Sequence, residues 1–507
     1  MLRVGANLIA NIVGRFWSVI SVALFLPAYL SLLGPEGYGL SSVYSMLQSV
    51  ILLADFGLSV SAGRELALIA GSPGAAGAPR SILVRYERVA FAVAISVSVA
   101  GLIAAPTVTR WWLGPVGISD GEVAVAVRMM VVALALQLVS AVYVGALLGV
   151  QRQVVANALQ VGWGIFRGVG TVAALKVFGA SVPVFAAAQI VASAGHLLSA
   201  RYVSKRAVAS LGQGIGAEGR RHPADLRFIG AMGVVSVLSA LMTQLDRVVL
   251  GFHETLQVLG AYSIALVVAG APLLLSMPVT TAMLPKLVQS ADRSDEARWR
   301  LQVDAASALV GALASSVGMY LLFSRGAVFE VWLGNGGTRV MAEALVVPLL
   351  CAQLMQALSL VPFAVAVATG SLRIVVWAQI AMLLIFLPLL LILVPKYGAN
   401  GAGLAWLACN GVVIPVYSAL VMREGESYGR VLDWFMRGVA APLTAAAASA
   451  FALSRLHDVI GAPASLTSIG IGSFGVLLST VIVTFFAQRP SLRQWTRASV
   501  ATMRRHR

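Results

Sequence analysis

The sequence predicts an all-α, polytopic membrane protein of about fourteen transmembrane helices: two six-helix lobes in a parallel repeat, followed by two further helices. Three observations carry this reading. Of the 507 residues, 59% are hydrophobic and 11% are charged, and the apolar runs are too long and too many for the core of a water-soluble domain. Basic residues fall in short loops on alternate sides of those runs, which is how membrane topology is encoded. Short motifs from the first half recur in order in the second.

The spans run at roughly 6–33, 40–64, 89–112, 123–149, 154–175, 182–203, 228–252, 259–284, 301–323, 341–369, 374–394, 401–422, 437–457 and 465–487. With the N-terminus in the cytoplasm, 26 of the 36 Lys and Arg residues lie on that side, at least one in every cytoplasmic loop. The net charge of +16 is therefore a topology signal, and no nucleic-acid partner is expected. The first span is too long for a cleaved signal peptide and lacks a small-residue cleavage site, so it is expected to remain as an anchor.

The repeat divides the chain into lobes at 1–213 and 214–436, with 437–507 supplying two more helices and a basic tail. Gly37-Tyr38-Gly39-Leu40 is echoed by Ala261-Tyr262-Ser263-Ile264, and Trp112-Leu113-Gly114 by Trp332-Leu333-Gly334. Gly149-Val150-Gln151-Arg152 pairs with Gly370-Ser371-Leu372-Arg373, and Phe178-Gly179-Ala180 with Tyr397-Gly398-Ala399. Six helices separate the copies. An even number gives both the same orientation, with a site expected between the lobes near the midplane.

The first hairpin holds the deepest charges. Asn7, Asn11, Arg15 and Ser18 share one narrow face of the first helix, and after Gly34-Pro35-Glu36-Gly37-Tyr38-Gly39 the returning helix carries Asp55 at matching depth. An Arg or Asp at the bilayer centre costs about 2.5–3.5 kcal/mol on insertion scales, so each should face protein or a watery cavity. Asp55 either lines that cavity or only neutralises Arg15.

Further along, Asn157, Gln160, Gly164 and Arg167 share a face of the fifth helix, and Gln189, Ser193 and His196 a face of the sixth. Ser236, Ser239, Thr243 and Arg247 line the seventh, with Asp246 at its edge; a local ion pair or snorkelling accounts for that pair as well as transport does. Arg128 is read as snorkelling. Polar side chains in membrane helices commonly glue helices together rather than bind ligand, and a satisfied buried histidine is commoner than a proton relay. Pro27, Pro272, Pro278 and Pro362 mark positions where backbone carbonyls lose partners and helices can bend.

Several classes are disfavoured. There is no Walker A loop, no metal-ligand spacing and no disulfide framework; Cys351 and Cys409 read as small apolar fillers. No cofactor is expected. No large loop holds acid and base residues, which argues against an enzyme such as a membrane glycosyltransferase or ligase, and a non-transporting scaffold leaves the buried charges unexplained.

The opening Asn11-x-x-Gly14-Arg15 helix, Leu33-Gly34-Pro35-Glu36-Gly37-Tyr38-Gly39, Asp55-Phe56-Gly57-Leu58 and Gln244-x-Asp246-Arg247 followed by Leu259-Gly260-x-Tyr262-Ser263 together resemble the polysaccharide flippases of the MOP exporter superfamily, the Wzx-like O-antigen and exopolysaccharide translocases. The resemblance implies translocation of an undecaprenyl-pyrophosphate-linked oligosaccharide to the periplasmic leaflet of a bacterial inner membrane by alternating access, coupled to an ion gradient, beside membrane lipids and a polysaccharide polymerase or export machinery. On that reading Arg15 and Arg167 hold the headgroup with Asn11, Gln160 and Asp55, while Asp55, His196 or Asp246 takes the coupling ion. The alternative is a multidrug or cation antiporter of the same superfamily. Two arginines against one aspartate in the first lobe favour an anionic substrate.

The charge pattern makes a direct prediction. Reporters fused at either terminus or within 204–227 should read cytoplasmic, and one in 113–122 should read the opposite side; inverted signals would undo the proposed alternation.

Overall fold

The computed structural model describes residues 2–54, 58–70, 78–209, 242–291, 296–423, 428–460 and 464–505. The side chains of Asn7, Asn11, Arg15 and Ser18, and all of Asp55, Ser236 and Ser239, lie outside the described residues. Among the described residues the chain is helical with no strand: α1 (Leu2–Ala54), α2 (Leu58–Ala70), α3 (Ala78–Val108), α4 (Asp120–Gly149), α5 (Gln153–Phe178), α6 (Val182–Ala209), α7 (242–251), α8 (Leu256–Ala269), α9 (Ala271–Gln289), α10 (Glu296–Leu333), α11 (Gly337–Leu358), α12 (Leu360–Thr369), α13 (Leu372–Arg423), α14 (Tyr428–Phe435), α15 (Ala441–Ile460) and α16 (Leu466–Arg505). Ten helical segments among them are long and apolar enough to cross a membrane, and one, Leu372–Arg423, covers two predicted spans.

Where the sequence suggests a six-residue turn at Gly34–Gly39, the structure breaks the helix only at Gly34 (φ 71°, ψ 176°), and helix resumes at Pro35. Proline suits that place because its missing N–H is unneeded in a first turn. A single residue, Gly398 (φ 58°, ψ −140°), likewise interrupts α13. Two predicted spans are each divided, with Pro272 at the start of α9 and Pro362 in the first turn of α12.

The chain forms two compact units, Met1–Ala224 with Gly251–Gly260, and Asp225–Leu250 with Ala261–Arg507. In the first, α4 is the central helix and packs on α2, α3 and α6, while α5 packs on α1 and α6. The α2–α4 contact depends on small residues: a Cβ on Gly145 would strike the Ser59 carbonyl, and one on Gly149 the Gly63 backbone. This is a small-xxx-small face, which lets backbones approach where lipid gives no hydrophobic drive. In the second unit, α10 is central and packs on α9, α11, α15 and α16. Its Asp304 carboxylate accepts Arg430 of α14 at 2.8 Å, and its Ser307 hydroxyl accepts the Trp434 indole N–H at 2.8 Å, fixing the short helix.

The repeat is visible in the backbone. Gly114 (φ 45°) and Gly334 (φ 69°) are left-handed at an offset of 220 (334 − 114), and Gly179 (φ 103°) and Gly398 (φ 58°) have positive φ at 219 (398 − 179). A third pair corrects the motif alignment. The left-handed partner of Gly370 (φ 77°) is Gln151 (φ 59°), at an offset of 219 (370 − 151), and not Gly149.

A left-handed conformation costs an L-residue about 1–2 kcal/mol, more than the chain entropy that glycine adds. Gln151→Gly should therefore raise the apparent melting temperature in detergent and Gly370→Gln should lower it, each by about 1 kcal/mol or less; equal shifts of one sign would contradict this account.

Candidate functional site

The first unit encloses a connected polar cluster contributed by four helices. Arg167 on α5 donates from Nη1 to Gln48 Oε1 on α1 at 3.2 Å. Gln48 Nε2 donates to Gln137 Oε1 on α4 at 2.5 Å. Gln137 Nε2 in turn reaches the Tyr44 hydroxyl at 2.7 Å and Ser193 Oγ on α6 at 3.1 Å. One turn before Ser193, Gln189 Nε2 donates to Thr171 Oγ1 of α5 at 3.0 Å. Each amide offers donors and an acceptor at once, so two glutamines can pass a hydrogen-bond chain from a cation to two hydroxyls without an unpaired link.

Arg167 is also held by an aromatic. Its Cζ lies 4.7 Å from the centre of the Trp163 ring, one turn earlier on α5. Trp163 stacks on the His196 imidazole of α6, with centroids 4.9 Å apart and planes 18° apart. A guanidinium over an indole is attracted to the ring's negative face. His196 is buried, and neither ring nitrogen has a hydrogen-bond partner among the described residues. Gln160 is exposed two turns before Arg167, while Gly164 faces the Trp17 indole.

Among the described residues Arg167 makes no ion pair. A half-buried guanidinium with neutral amide and π partners retains its charge for an incoming anion, and its planar fork matches phosphate oxygens.

The second unit holds Asp246, 1% exposed, in a different setting. Its Oδ2 accepts the Tyr262 hydroxyl at 2.7 Å and the Trp406 indole N–H at 2.9 Å, and its Oδ1 accepts the Arg247 backbone N–H at 2.7 Å. The Arg247 side chain turns to Gln244 Oε1 at 3.4 Å, so of the readings their adjacency leaves open, a local ion pair is not formed. Thr243 is exposed and Arg247 half-buried.

Two motifs explain themselves as joints. Glu36 of the Gly-Pro-Glu stretch accepts the backbone N–H groups of Val116 and Gly117 at 2.7 and 2.8 Å, tying α1 to the loop before α4. Gly39 abuts the Leu256 backbone, and a Cβ on Gly260 would meet the Gly39 backbone at 3.1 Å. The sequence reading missed Gln48, Gln137, Tyr44 and Trp163. Gln137 carried a signal, since it interrupts an apolar run near the middle of a span, whereas Gln48 lies among Ser45 and Ser49 and stood out less. Trp163 carried none, because a tryptophan in a membrane helix is unremarkable by itself.

A family model described as polysaccharide biosynthesis protein matches residues 4–291. A Shigella flexneri protein to which O-antigen transport is ascribed is 25% identical over 181 residues, 35% of this chain, and the match spans 42% of that relative's length. Among solved structures, the lipid II flippase MurJ in an inward closed conformation superposes with a TM-score of 0.68 at 11% identity, over 96% of this chain and 99% of its own. An inward-facing multidrug resistance MATE family transporter of the MOP superfamily gives 0.64 at 13% identity, over 85% of this chain and 99% of its own. At such identities the two superpositions establish a shared fold.

The polar cluster predicts a graded series. Gln137→Leu strands the Gln48 amide and the Tyr44 hydroxyl and should cost about 1–3 kcal/mol, read as a lower melting temperature in detergent. Ser193→Ala removes one acceptor and should cost less. The reverse order would show that Gln137 is not the hub.

Proposed function

The chain belongs to the polysaccharide biosynthesis protein family, and from that membership we propose that it flips a polyprenyl-pyrophosphate-linked oligosaccharide from the cytoplasmic to the periplasmic leaflet. The observation that carries this reading is Arg167: a cation inside a predicted membrane span, held by Gln48 and Trp163 and making no ion pair among the described residues. A pyrophosphate headgroup entering a low-dielectric interior needs such a partner, whereas the polyprenyl tail stays in lipid at no cost. Arg15 adds a second cation, Asn11, Gln160 and Asp55 complete the contacts, and the two six-helix lobes alternate access.

Coupling to an ion gradient is assigned to Asp55, His196 or Asp246. Of the two that the structure describes, His196 stacks behind the indole that holds Arg167, so protonation there would place a further cation beside the headgroup. Asp246 is enclosed by three neutral donors. The setting is a bacterial inner membrane, beside the polymerase or export machinery that consumes the flipped lipid. An exporter of organic cations would be expected to set carboxylates rather than Arg167 in its cavity, which ranks that reading second.

The test is flipping of a fluorescent polyprenyl-pyrophosphate oligosaccharide in proteoliposomes with equal insertion of each variant. Wild type should flip it, Arg167→Ala should lose at least about tenfold in rate, and Arg167→Lys, which keeps the charge without the fork, should fall between. Equal rates would make Arg167 structural. Wild-type protein that moves an organic cation and no polyprenyl lipid would replace this reading with the antiporter.

A further inference from the structure

The second unit contains a cavity of about 230 Å³ whose lining differs in kind from the Arg167 cluster. Its polar lining is supplied by Thr243 on α7, Gln356 and Ser359 where α11 gives way to α12, Gln379 on the first half of α13 and Tyr417 on the second half; its aromatic lining is Trp406 with Phe363. None of its lining residues is charged. Tyr417 is 8% exposed, and its hydroxyl has no hydrogen-bond partner among the described residues.

The aromatic wall is fixed in place. The Trp406 indole N–H is committed to Asp246 at 2.9 Å, and its ring rests on Phe386 with centroids 4.3 Å apart. Asp246 is itself tied to Tyr262 at 2.7 Å. The carboxylate therefore acts behind the cavity as an anchor for the ring that lines it.

Three properties select a ligand class. The lack of a lining charge disfavours a phosphate, which would be desolvated without a cation. Two amides beside three hydroxyl side chains disfavour an acyl chain, which would leave the amides and the Tyr417 hydroxyl unpaired. The volume falls below the roughly 300–1,000 Å³ of drug-sized sites, leaving room for about one ring. A neutral sugar ring meets all three: its hydroxyls donate and accept as the glutamine amides and Tyr417 require, and its C–H face lies against an indole.

We propose that this cavity is a sugar-binding subsite, in which Gln356, Gln379 and Tyr417 take the hydroxyls of one neutral sugar ring against Trp406, and Asp246 positions that indole. The inference rests on the transport reading above, and it assigns recognition of the glycan to the second unit and of the pyrophosphate to the first.

The full chain in lipid nanodiscs would be titrated with polyprenyl pyrophosphate and with the same lipid carrying a neutral oligosaccharide built of hexoses or of N-acetylhexosamines. Wild type should bind one of the glycosylated probes at least about tenfold more tightly than the bare lipid. Gln379→Leu and Gln356→Leu should abolish that preference while the bare-lipid affinity moves less than about twofold, and Arg167→Ala should weaken both probes. Trp406→Phe, which keeps a ring but loses the Asp246 tether, should lower the preference part of the way. Equal wild-type affinity for bare and glycosylated lipids overturns the subsite alone, as do pocket variants that weaken both probes alike or neither. Wild-type protein that binds no polyprenyl pyrophosphate at all overturns the transport reading, and the subsite with it.

Discussion

Lipid offers no hydrogen bonds, and the architecture depends on that constraint. A polar group carried into a membrane must find its partner inside the protein or forfeit several kcal/mol. The hydroxyls of Ser140, Ser307, Ser316, Thr444 and Thr480 meet it by bonding to a carbonyl four residues back on their own helices. Other side chains are joined across helices, among them the glutamine chain from Arg167, the Asp246 clasp, the Glu36 clip and the Asp304–Arg430 pair. Apolar packing fills the volume between them, and the joints fix which face of each helix turns inward.

The two units solve the problem with opposite chemistry. In the first, a cation is held by neutral amides and an indole, so its charge is conserved. In the second, an anion is enclosed by a phenol, an indole and a backbone N–H, so its charge is hidden. A charge that is conserved suits a ligand of opposite sign, and one that is hidden suits the anchoring of neighbours.

Much of this was legible in the chain. Hydrophobic runs, basic loops and the recurrence of Trp-Leu-Gly led to a helical membrane fold with an internal repeat, because each depends on composition and spacing alone. The positive-φ pairs Gly114 and Gly334, and Gly179 and Gly398, lie at the offset that the motifs suggested. Gln151 did not announce itself, since nothing in a glutamine signals a left-handed backbone. The candidate site was read less well. Arg167 and His196 stood out as polar residues in apolar runs, but their relation through Trp163 depends on how α5 and α6 rotate against each other, which no local pattern encodes. Gln244-x-Asp246-Arg247 was legible as a motif, but its adjacency left the roles of the two charges open: the carboxylate turns into the core and the guanidinium toward Gln244.

The clip at Glu36 has a mechanical meaning. Two residues before it, Gly34 leaves the helical conformation, so the two halves of α1 are joined by a single non-helical residue. Beyond that joint, the Glu36 carboxylate grips two successive backbone N–H groups at Val116 and Gly117, and Gly39 lies flush against Leu256. The other arm is packed on α5 and α6 through Phe25 at Gly168 and Tyr29 against Phe185. Bending at Gly34 would swing the half of α1 that carries Arg15, while the half that carries Tyr44 and Gln48 stays with the body of the first unit.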